Sequence, residues 1–213
     1  TVGNGVSGNL SGSGMTYTAE ITPSSEGPVT VDIGAGATQD STGNFNTAAV
    51  QFSINYDSTA PTVAISSPAA DQTNLNPVPV TITFSESVTG FDLADLTVVN
   101  GVPDNLSGSG MTYTAEIIPS AEGPVTVGIA AGVAQDAAGN LNTAAAPFSV
   151  NYDSMAPTVG ISSPAADPTN LNPIPITITF SKIVTGFELA DLTVSNGVPD
   201  NLSGSGMTYT AEI

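Results

Sequence analysis

Hydrophobic and polar residues alternate in short runs along this chain. Residues 78–84 read VPVTITF, with Val78, Val80, Ile82 and Phe84 on one side and Pro79, Thr81 and Thr83 on the other. A period of two predicts a strand buried on one face. The pattern recurs in MTYTAEI (Met111, Tyr113, Ala115, Ile117), PVTVGIA (Val125, Val127, Ile129) and FSVNY (Phe148, Val150, Tyr152). Shorter strands are predicted at 62–66, at 96–100 and around Leu106. Threonine fills most outward positions, where a β-branched polar side chain favours extended backbone and keeps its contact with water. Turn-forming stretches separate the runs: NG at 100–101, GSG at 108–110, AEGP at 121–124 and DAAGN at 136–140. No segment has a helical period, and FDLADL at 91–96 is expected to form a single turn.

The whole pattern then repeats. NLSGSGMTYTAEI occurs at 9–21, 105–117 and 201–213, a period of 96 residues without insertion or deletion. Between 57–117 and 153–213 only nine positions differ, among them Thr59/Met155, Glu86/Lys182 and Asp92/Glu188. A unit of this length is too long for a solenoid repeat and suits an autonomous domain. The chain is therefore expected to hold the C-terminal part of one repeat (1–56), a complete repeat (57–152) and the N-terminal part of a third (153–213). Two readings of the incomplete repeats stay open: a window on a longer tandem array, or chains that complete each other's domains in a filament. Seven short strands per repeat predict an all-β fold of antiparallel β-sandwiches in tandem.

Composition narrows the chemistry. Nineteen acidic residues face one basic residue, Lys182, giving a net charge of −18, and there is no Arg, His or Cys. Imidazole bases, thiolate nucleophiles and soft-metal sites are thereby excluded, and an enzyme is not expected. Phosphate neutralisation is excluded with them, so nucleic acid is not an expected partner. Acidic surfaces attract hard cations instead. Trypsin-like proteases find almost nothing to cut, which suits an extracellular life. Apolar residues make up 40% of the chain and charged ones 9%, a balance that fits a folded protein rather than an acidic disordered tail. No apolar run is long enough to span a membrane, and the opening TVGNG is expected to lie inside a longer natural chain.

The succession STAPTVAISSP, VTITFSESVTGFDLADLTVVNG, MTYTAEIIPSAEGPVTVGI, AQDAAGN and FSVNYD resembles the bacterial immunoglobulin-like domains repeated in large surface adhesins. The likeness covers the complete repeat and hence, in tandem, the whole chain. It implies immunoglobulin-like sandwiches, a bacterial cell-surface or extracellular location, and frequent dependence on calcium. The function expected is that of a stalk or filament giving reach and stiffness. The alternatives are an adhesion module that binds a sugar or host protein, and a subunit of a self-assembling filament. Few aromatic residues and no Trp speak against the first alternative. The expected partners are neighbouring repeats of the same chain and, in a filament, other copies of it.

In an immunoglobulin-like order of strands, Asp57 in the YDSTAP linker, Asp92 and Asp95 in FDLADL, and Asp136 and Asn140 in the last loop fall at one end of the repeat. Asn142 shares that last loop, and Glu26 of the preceding repeat faces the same junction. With the equivalent residues Asp153, Asp40 and Asn44 of the other copies, they form the expected ligand set of an interdomain Ca2+, which takes six to eight oxygens. Plain turn chemistry is the other reading: Asp136 closing DAAGN through its side chain, and Asp95 capping a short turn. Glu86 is set outside the expected ligands, because its counterpart is Lys182. NLS at 105–107 fits a glycosylation acceptor but reads as a polar strand edge in a bacterial protein.

Overall fold

The computed structural model describes residues 1–213, and all its regular structure is strand apart from two three-residue 3-10 turns. Residues 57–152 form a two-layer sandwich. Its first sheet orders Gly101–Pro119, Val78–Val88 and Val63–Ser66, with Val78–Val88 in the middle. The second orders Gln72–Thr73, Phe148–Tyr152, Gly123–Ile129 and Leu96–Val99. Every pairing is antiparallel except that of Gln72–Thr73 with Phe148–Tyr152, which is parallel. The register matches apolar residues across each sheet: Ile65 opposite Ile82, Ala115 opposite Val80, and Val125 opposite Val150.

The alternation read from the sequence is what builds the interior. Val78, Val80, Ile82 and Phe84 of one sheet and Val125, Val127, Ile129 and Val150 of the other are all buried. Phe84, Phe91 and Tyr113 meet edge to face, with ring centroids 5.0 to 6.0 Å apart. That arrangement sets each ring's positive edge against a neighbour's negative face. The aromatic side chains of the complete repeat are thus spent largely on its core.

Seven strands are present in this repeat, but two differ from the expected set. The stretch around Leu106 and MTYTAEI belong to one extended run, Gly101–Pro119, that folds back at GSG. Asn105 Nδ2 reaches Glu116 Oε2 across the fold (2.6 Å). The equivalent region near the N-terminus forms two separate strands, Gly5–Ser13 and Thr16–Pro23, joined by a tight two-residue loop. The added strand is Gln72–Thr73, two residues that carry no readable alternation.

Contacts group residues 1–56 with the complete repeat in one compact unit, Thr1–Asp153, while Ser154–Ile213 form a second. Within 1–56, Val2–Gly3, Gly27–Val31 and Phe52–Tyr56 make the counterpart of the second sheet. Within the second unit, Val159–Ser162, Pro175–Val184 and Asp200–Glu212 make the counterpart of the first. Ile176, Ile178, Tyr209 and Ala211 are its buried cluster.

Candidate metal centre

The linker YDSTAP enters the complete repeat beside that repeat's last loop. Asp57 Oδ1 accepts from the Thr59 N–H (3.0 Å), and the Ser58 N–H and hydroxyl both donate to the Glu26 carboxylate. Asn140 Nδ2 donates to the Asp57 carbonyl (3.1 Å), and the Thr143 N–H donates to that of Pro61 (2.9 Å). The chain arriving from the preceding repeat is thus held on both sides.

The last loop is organised by Asp136. Its Oδ1 accepts from the N–H groups of Ala138 (2.8 Å) and Asn140 (2.9 Å), and its Oδ2 from Asn140 Nδ2 (2.9 Å). This is the side-chain-closed turn that DAAGN suggests. Asp136 is buried; burial pushes its carboxyl up, but the Asn140 side chain and the N–H groups of 140, 138 and 139 outweigh this and hold it below the usual range. Asn142, also buried, accepts from Val133 and Ala134 and donates to the carbonyls of Ala130 and Thr143. Its amide is fully used in fixing the loop.

Glu86 completes the group. One carboxylate oxygen each from Asp57, Glu86 and Asp136 lies within 4.8 Å of the others. Burial first, and then the charges of Asp136 and Asp57, push the Glu86 carboxyl up from its ordinary value. Oxygens bound to one Ca2+ at 2.3–2.6 Å lie at most about 5 Å apart, so this separation fits a single ion. The donor set is all oxygen and all anionic, which suits a hard cation and little else.

The other expected carboxylates lie outside this group of three. Asp92 accepts from the Ala94 N–H and Asp95 from the Asp92 N–H, a reciprocal capping box around the 3-10 turn Leu93–Asp95. Asp40 and Asn44 repeat the Asp136–Asn140 turn. The Asn44 side chain, then Thr42, and their N–H groups hold the Asp40 carboxyl well below the usual carboxylate range. Asp153 donates its N–H to Thr73 (2.9 Å), closing the parallel strand pair. Glu86, set aside on the strength of Lys182, is the residue that stands with Asp57 and Asp136. Its signal lay in the alternation: it shares the face of Val78, Val80, Ile82, Phe84 and Val88, an acid in an apolar row.

Two antiparallel-dominated sheets, one edge closed by a short parallel strand, and end loops gathered around an entering linker define an immunoglobulin-like sandwich. The family model described as "Bacterial Ig-like domain" matches residues 57–152 and again 153–213, more than half of the chain. The chain belongs to that family and carries its domains in tandem. A search of curated proteins returned no match. Domains of this family are in general structural modules of extracellular or surface proteins rather than enzymes. No helix is long and apolar enough to cross a membrane.

Proposed function

We propose that this chain is a spacer region of a bacterial cell-surface or secreted protein, a stalk or filament whose repeats provide reach and stiffness. The joint carries this reading: Glu26 holds Ser58, Asn140 holds the Asp57 carbonyl, and Thr143 holds that of Pro61. A chain fastened at each entry point transmits load from one sandwich to the next with little play. In the complete repeat, Phe84, Phe91 and Tyr113, aromatic residues of the kind a binding surface would use, pack in the core instead, which disfavours the adhesion-module alternative.

Within this reading Asp57, Glu86 and Asp136 bind Ca2+ and make the joint's rigidity dependent on it. Three carboxylates this close repel one another, and a divalent ion between them turns that repulsion into attraction. In the third repeat Lys182 brings a positive charge of its own to the Glu86 position, so calcium dependence differs from joint to joint.

Differential scanning calorimetry and small-angle scattering of the full chain test both parts. Calcium is expected to raise Tm and narrow the spread of interdomain angles, and chelator to reverse both. Identical melting and scattering curves in calcium and chelator would remove the ion from the account. A freely jointed scattering profile in both conditions would remove the spacer reading itself.

A further inference from the structure

Every methionine of this chain lies at the surface. Met15, Met111, Met155 and Met207 are the only four, and their exposures run from 44% to 101%. Methionine is ordinarily among the residues most often fully buried, because its unbranched thioether fills irregular gaps in a core. Here Val, Ile, Leu, Phe, Tyr and Ala fill the core without it, and the chain has no Cys and no Trp. The interior is thus free of the sulfur that oxidants attack, and all of it stands outside.

Three of the four occupy one position. Ser13 pairs with Thr16, so Gly14 and Met15 are the two residues that turn the hairpin of Gly5–Ser13 and Thr16–Pro23. Gly14 takes the positive φ (66°) that a tight turn needs at its first central residue, and Gly110 (67°) and Gly206 (69°) do the same in the other repeats. Met111 and Met207 follow them. Glycine is what the turn requires; the residue after it needs no particular side chain. Packing does not call for methionine either. Leu106, on the other arm of the fold-back, packs against the core cluster, whereas Met111 is 45% exposed with both sheets of its sandwich in place. Met207 matches it at 44%. The period of 96 therefore sets one solvent-facing thioether at the hairpin tip of each repeat.

We propose that these tips are sites of reversible methionine oxidation, at which the repeats consume peroxide-class oxidants without losing their fold. The thioether sulfur attacks one peroxide oxygen, the O–O bond breaks and a sulfur–oxygen bond forms. Sulfur is oxidised by two electrons; the proton of the transferred oxygen passes to the departing hydroxide, which leaves as water. A sulfoxide is polar and disrupts a core. At an exposed tip the added oxygen enters water and displaces no packing, and a methionine sulfoxide reductase has access to remove it. The benefit to a cell rests on the surface location proposed above, whereas the chemistry of the tips does not.

The test incubates the full chain with hydrogen peroxide and free N-acetylmethionine amide in one tube, and follows each residue by mass spectrometry of Asp- and Glu-directed digests. Met15, Met111 and Met207 are each expected to gain one oxygen at a rate within about threefold of the free amide, the behaviour of unshielded thioethers. Calorimetry is expected to show Tm unchanged by oxidation, and the reductase to strip the oxygens from the folded chain. A variant carrying Met15→Leu, Met111→Leu, Met155→Leu and Met207→Leu is expected to melt like the unmodified chain but to leave a methionine-containing reporter peptide unprotected under limiting peroxide. Rates more than about tenfold below the free amide, a lower Tm after oxidation, or equal protection by the leucine variant would each overturn the proposal. None of these outcomes bears on the spacer reading, which the scattering profile decides.

Discussion

At the scale of single residues, the joint sets two carboxyls moving in opposite directions. Glu86 is pushed up, so the folded chain holds a proton at pH values where the unfolded chain has released it. Its contribution to stability therefore falls as pH rises through that window, above the ordinary glutamate value. In chelator, Tm is expected to rise as pH is lowered from neutral into this window. Glu86→Gln is expected to flatten that slope, raise Tm at neutral pH and weaken the response to calcium, all readable by calorimetry across pH. Asp136 behaves the other way: its stabilising bonds persist above the ordinary aspartate value and are lost only as pH falls through its lowered one. Asn142 carries no charge and a different burden. Replacing it with Ala leaves the buried Ala134 N–H and the Val133 N–H without their acceptor, a loss on the order of 2–4 kcal/mol in urea unfolding.

At the scale of elements, alternation made most strands of the complete repeat legible before any coordinates. Where it failed, the reason is physical. Gln72–Thr73 is held by bonds from Asn151 and Asp153 and not by burial of a face, so a hydrophobic pattern has nothing to record there. The turn GSG was legible as a breaker, but not the depth of the fold-back it makes. A side chain at Gly108 would sit 2.4 Å from the Thr112 carbonyl, and its φ of 109° belongs to glycine. Gly108→Ala is thus expected to cost about 1–3 kcal/mol in equilibrium unfolding. The metal candidates were partly legible for a related reason. Acidic residues in loops announce themselves by type, yet Asp92 and Asp95 satisfy a local cap, whereas Glu86 was hidden inside a strand and discounted through its lysine counterpart.

At the scale of the whole molecule, the only basic side chain, Lys182, lies in the strand Pro175–Val184 of the second compact unit. Trypsin therefore reports the opening of that unit alone. In dilute protein, cleavage is expected at lower urea than the loss of β-sheet circular dichroism, because the unit's buried cluster is small beside that of the complete repeat. Coincident transitions would mean that the two units unfold as one. The parallel pairing near the repeat's two ends has a consequence for pulling. Chain enters next to Val63–Ser66 and leaves after Phe148–Tyr152, and the latter strand is bonded to Gln72–Thr73 running in the same direction. Tension along the array slides these two strands lengthwise, so both bonds must stretch at once and neither can peel ahead of the other. A contact of two residues thereby acts as a latch against stretching far out of proportion to its size.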